Sequence, residues 1–122
     1  MKLVKKINIL GTQYSVYRVK ANENEYMTKM NYGGMCTTDD HRIYILDLST
    51  VPDWADESEE VRKSQENCTV RHEVIHAFFN EFGLQWNSFA PEKAWAKNEE
   101  MVDWFAIQFP KIYAVYQQLG VM

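Results

Sequence analysis

Cys68-Thr69-Val70-Arg71-His72-Glu73-Val74-Ile75-His76-Ala77-Phe78-Phe79 decides how the rest of the chain is read. Its residues keep helical spacing, and it contains His72-Glu73-x-x-His76, the HExxH pattern. On a helix, positions i and i+4 lie on one face about one turn apart. Two imidazoles so placed can bind one Zn²⁺ at about 2.0–2.1 Å each, with Glu73 beside them as a base toward water. Two histidines do not complete such a site, so the remaining chain has to supply a third ligand.

Around this stretch, Val61, Gln65, Cys68, His72, Ile75/His76, Phe79 and Phe82 recur at spacings of three and four from Ser58 onward. That predicts one face of a long helix. Gly83 is a good stop, because glycine takes the left-handed cap conformation without penalty. The acidic run Asp53, Asp56, Glu57, Glu59, Glu60 suits the positive end of that helix as a solvated start.

Upstream, residues 3–9 and 13–19 alternate apolar and polar residues about Leu10-Gly11-Thr12, which predicts a hairpin. A helical turn is expected around Glu25–Met30. Tyr32–Thr37 and Arg42–Leu48 read as further strands, giving a small antiparallel sheet in meander order. Downstream, residues 84–97 carry Trp86, Phe89, Pro91 and Trp95 and are expected to fold back on the core. Asn98 is a plausible N-cap, with Glu99 and Glu100 in a first helical turn. Met101, Phe105, Phe109, Ile112, Tyr116 and Leu119 keep helical spacing through Pro110, where a kink or two abutting helices are expected. The class is α+β: an antiparallel-rich sheet packed on a long HExxH helix and a kinked C-terminal helix.

For the third ligand, His41 is the only other histidine, and Phe79 and Phe82 stand where an HExxHxxGxxH motif would need glycine and histidine. Cys68 shares the helix face but lies about 12 Å of rise from His76, beyond the reach of one tetrahedral ion. It reads as core. A carboxylate from another element remains. Glu99 is the candidate, with Asp103 one turn on to accept a hydrogen bond from the other ring nitrogen of a ligand histidine, His72. Glu100 is the rival ligand, because adjacent helical positions differ by about 100° and sequence does not set the rotation. Tyr32, His41, Tyr113 and Tyr116 are candidates for a further oxyanion donor. The strand Arg42–Leu48 is a candidate for edge pairing with an extended peptide.

With these residues in place, the chain resembles the zincin metallopeptidases of gluzincin type. The closer resemblance is to the compact ImmA/IrrE-like metallopeptidases and similar small phage- and prophage-encoded proteins. It is carried by His72–Phe79 and by Glu99-Glu100-Met101-Val102-Asp103-Trp104-Phe105-Ala106-Ile107-Gln108-Phe109-Pro110. The second run looks like the family's ligand Glu, then Asn or Asp, then Phe-Ala, then an apolar-Pro ending. Ile107-Gln108-Phe109 replaces the usual leucine-rich stretch, and the family's helix before the sheet has no counterpart. The resemblance implies a hydrolase with a minimal zincin fold: a zinc-dependent endopeptidase acting inside the cell, on a protein such as a phage or mobile-element regulator. The contrasting expectation is a catalytically inactive zincin-like binding module with a structural zinc.

Composition sets bounds on the rest. The 122 residues suit one domain, and 46% hydrophobic with 14% aromatic residues suits a packed core. A formal net charge of −4 without a dense basic block disfavours nucleic acid as a partner. The start, Met1–Leu10, is broken by lysines and Asn8, unlike a signal peptide. No stretch approaches the roughly 20 apolar residues of a membrane span. Two cysteines, Cys36 and Cys68, are too few for a disulfide scaffold, so a cytoplasmic protein with reduced thiols is expected.

Overall fold

The computed structural model describes residues 1–122. Strands β1 (Lys2–Ile9), β2 (Thr12–Val19), β3 (Gly34–Thr37) and β4 (Arg42–Leu46) form one mixed sheet. Three α-helices accompany it: α1 (Glu25–Met30), α2 (Glu59–Glu81) and α3 (Glu99–Gln118). The β1–β2 hairpin turns at Leu10 and Gly11, both at positive φ, the turn geometry whose twist matches that of the strands.

The sheet is not a meander. Its order is β1-β2-β4-β3, and β4 runs parallel to β2. Helix α1 carries the chain past a vacant position, and β4 then folds back antiparallel to β3 to fill it. β4 is therefore central, which explains why Ile43, Tyr44 and Ile45 are all buried. One face of the sheet (Tyr14, Val16, Ile43, Ile45) packs on α2 through Val70, Val74, Ala77 and Phe78. The other face (Val19, Tyr44) is covered by Met27 of α1. The candidate substrate strand Arg42–Leu48 thus has partners on both sides and presents no free edge. The free edges belong to β1 and β3.

Helix α2 starts at Ser58, whose hydroxyl accepts the Val61 N–H, and ends with Gly83 in the left-handed conformation. It uses two stripes rather than one. Val70, Val74, Ala77 and Phe78 face the sheet, while Ile75 and Phe79 meet Met101 and Val102 of α3. Val61 and Phe82, at the ends of the expected single face, are exposed. Helix α3 is one continuous element through Pro110, not two abutting helices.

The segment 84–97 departs from expectation. It forms two short 3₁₀ turns, and only Ala94 and Ala96 are buried, whereas Trp86 and Phe89 are 77% and 101% exposed. The small residues pack because the backbone itself lies against α2 (the Ala96 carbonyl is 2.8 Å from Nδ1 of His76), and the large aromatic rings turn outward. No helix is long and apolar enough to cross a membrane.

Candidate metal centre

Two carboxylates fix α2 across the sheet. Near its start, both Glu66 oxygens accept from Nη2 of Arg18 at 2.9 Å, and Oε1 also accepts the Leu48 N–H at 2.9 Å. At its end, Glu81 accepts from Tyr14 at 2.9 Å and Thr12 at 3.0 Å, and Asn80 donates to the Tyr14 hydroxyl at 2.8 Å. His72, Glu73 and His76 lie between these anchors, so the motif is carried on a helix tethered at both ends.

The histidine tautomers follow from their partners. Nδ1 of His76 lies 2.8 Å from the Ala96 carbonyl, which only accepts, so that nitrogen carries the hydrogen. Nδ1 of His72 lies 2.6 Å from Asp103 Oδ1 and donates to the carboxylate. When both rings are neutral, each Nε2 presents a lone pair. The two Nε2 atoms are 3.1 Å apart, and Glu99 Oε2 sits 3.1 Å from His72 Nε2 and 3.3 Å from His76 Nε2. Three acceptor atoms then converge with no hydrogen among them, an arrangement that a cation between them relieves. Tetrahedral ligands at about 2.0–2.1 Å from an ion are about 3.3–3.4 Å from one another. The observed triangle nearly matches that edge, and two imidazoles with one carboxylate suit a zinc site that keeps a fourth position open.

The rotation of α3 decides which acid reaches the histidines. Burial of Val102 and Ala106 turns that face of α3 to the protein. Glu99 and Asp103 fall on the same side, and Glu100, about 100° round, pairs with neither ring. The Asn98 side chain caps α3 by accepting the Met101 N–H at 3.0 Å, and Glu99 sits in the first turn at the positive helix end.

Glu73 packs against Gly34 of β3 and lines the same cleft as His72, His76 and Glu99. It is the one buried charged residue, although an oxygen of its carboxylate stays within 4.8 Å of the histidine nitrogens. Loss of hydration pushes its carboxyl up from 4.5 to about 7; His72 opposes this, Glu99 adds to it, and the Cys36 backbone N–H opposes it. Gly34 makes this packing possible. A Cβ there would stand 2.5 Å from Thr69 Cγ2 and 2.9 Å from Glu73 Oε1.

A cleft of about 480 Å³ opens over His72, Glu73, His76 and Glu99, walled by Tyr32, Gly34, Met35 and Cys36 on one side and by Gln85, Ala96 and Lys97 on the other. Of the four proposed oxyanion donors only Tyr32 lines it. His41 stands instead against the Tyr14 ring and Glu81, and Tyr113 and Tyr116 lie on the outer part of α3. Cys68 is half-buried and unpaired, and it belongs to none of the core clusters. Sequence reasoning missed the Ala96 carbonyl, Gly34 and Lys97. The paired glycines Gly33-Gly34 were the one available sign of a close backbone approach. No family model, curated protein or solved structure matches the chain.

Proposed function

We propose that this chain is a zinc-dependent endopeptidase of gluzincin type, with His72, His76 and Glu99 holding the ion and Glu73 as the catalytic base. The observation that carries the proposal is the convergence of two imidazole lone pairs and a carboxylate oxygen at 3.1–3.3 Å, with both opposite ring nitrogens already anchored. Zinc held there supplies Lewis acidity, which polarises a carbonyl and brings the pKa of water down toward about 7.

The chain's own residues account for the other steps. Glu73, a buried carboxylate in the cleft beside the two histidines, is placed to take a proton from water and return it to the leaving amine. Asp103 and the Ala96 carbonyl hold the two rings in the tautomer that directs Nε2 inward. The free edge of β3, beside Glu73 in the cleft wall, offers main-chain hydrogen bonds to an extended peptide. Tyr32 is the side chain available for the developing oxyanion. A cleft open on one side suits a segment within a protein chain. The resemblance to ImmA/IrrE-like peptidases extends the proposal to a regulator of a phage or mobile element as the cytoplasmic substrate.

The contrasting reading, a binding module with structural zinc, leaves the buried, perturbed Glu73 without a role. Glu73→Gln separates the two. The variant should bind one zinc per chain as the wild type does and lose peptide hydrolysis. Undiminished turnover by Glu73→Gln removes Glu73 from the base role; a wild type that holds zinc yet cleaves nothing in a protein-substrate panel favours the binding module.

A further inference from the structure

We infer that the chain pairs with a second copy of itself through the outer half of α3 and the apolar groove between α2 and α3. This inference is independent of the metal reading. It starts from burial along α3. Val102 and Ala106 are buried, but no residue after Ala106 is, although the helix continues to Gln118. That leaves an arm of about 12 residues, roughly 18 Å long, with no buried side chain. Helices of that length are marginal in water on their own, and Pro110 removes one of the arm's hydrogen bonds.

The composition of the arm is that of a buried element. Between Trp104 and Gln118 the only charged residue is Lys111. At about 100° per residue, Phe109, Tyr113 and Tyr116 fall within about 60° of the centre of the stripe that buries Val102 and Ala106 against α2. The seam between the helices therefore continues past the point where α2 stops covering it.

A matching surface lies on the same molecule. Beside the arm is a groove of about 770 Å³, lined by Phe78, Phe82, Trp95, Phe105 and Phe109 among other apolar residues. Phe109 belongs to both the groove and the arm's stripe, so one two-fold axis near it can lay each arm in the other copy's groove, an isologous contact that closes on itself. Phe82, Trp95, Phe105 and Phe109 in the groove, with Tyr113, Tyr116 and Leu119 on the arm, are 37–68% exposed. At roughly half of about 200 Å² per large side chain, these seven offer about 700 Å² per copy. Standard stable interfaces bury about 600–1,000 Å² per partner, so the face is large enough for a dimer. Arg71 and Lys111, at its margin, form the polar rim. A membrane surface fits less well, because interfacial helices set several Lys or Arg beside the apolar face and this arm has one.

Sedimentation velocity and light scattering on the full chain test the pairing. The wild type should have twice the chain mass, with dissociation on dilution. Tyr116→Asp and Phe109→Asp, two separate variants, should each weaken self-association roughly 30-fold or more, the scale of an interface hot spot, and keep the helical circular dichroism of the body. Leu3→Asp, on the distant strand β1, should stay dimeric. A wild type that is monomeric at about 100 μM overturns the proposal, whether or not it sediments with phosphatidylcholine/phosphatidylglycerol vesicles. So does an open, concentration-dependent series of larger assemblies. Folded Asp variants with unchanged dimer mass remove the arm from the interface.

Discussion

Replacing Glu73 by Gln should stabilise the metal-free protein at pH 8 even as it removes activity. The wild-type carboxyl is raised from 4.5 to about 7 by burial. Between these two values the folded state binds more protons than the unfolded state, so stability falls as pH rises. The penalty is absent below about pH 4.5, grows through the interval and saturates above pH 7. A carboxyl carried from 4.5 to about 7 corresponds to about 3 kcal/mol at its limit. The substituted glutamine carries no charge at any pH, so the variant lacks this slope. Its amide must still find partners where a carboxylate accepts from the Cys36 N–H, which trims the gain. Urea unfolding of chelator-treated protein at pH 4.5, 6 and 8 reads the effect. The two proteins should match near pH 4.5, and the variant should lead by about 2–3 kcal/mol at pH 8. A pH-independent difference between them would refute the reasoning, because the gap has to track ionisation of one side chain. Added zinc should narrow the gap, since a nearby cation favours the Glu73 carboxylate.

Asp103→Asn should weaken zinc binding about 10–100-fold by loosening the His72 tautomer, as read by competition with a chromophoric chelator; unchanged affinity would mean the 2.6 Å hydrogen bond does not orient that ring. Gly34→Ala forces a Cβ into Thr69 and Glu73, so thermal unfolding should show a loss of about 1–3 kcal/mol together with a large drop in turnover. A fully stable, active variant contradicts the close packing. Tyr14→Phe removes the hydroxyl that joins Asn80 to Glu81 at the end of α2, and should cost about 1–3 kcal/mol in denaturant unfolding; a neutral result would mean water replaces that link.

Features governed by local chemistry were legible in the sequence. Gly83 and Asn98 mark the helix ends they occupy, because capping depends on neighbours within three residues. The i, i+4 spacing put His72 and His76 together, and the acid at the start of α3 pointed to Glu99 and Asp103. The choice of Glu99 over Glu100 was not legible, since it rests on which face of α3 buries Val102 and Ala106, a non-local matter. The sheet order was also hidden. Sequence order suggested a meander, yet the unbroken run Ile43-Tyr44-Ile45 carried the physical sign of a strand covered on both faces. Aromatic content misled in residues 84–97, where buried alanines and the backbone make the contact and Trp86 and Phe89 point outward.

Zinc stoichiometry and affinity in wild type, Glu99→Ala and Glu100→Ala test the central claim most directly. Equilibrium dialysis followed by metal analysis should find one zinc per wild-type chain, affinity nearly unchanged in Glu100→Ala, and a loss of roughly 100-fold or more in Glu99→Ala, as befits removal of a direct ligand. A wild type that retains no zinc after reconstitution, or equal affinities in the two variants, would contradict a site built from His72, His76 and Glu99.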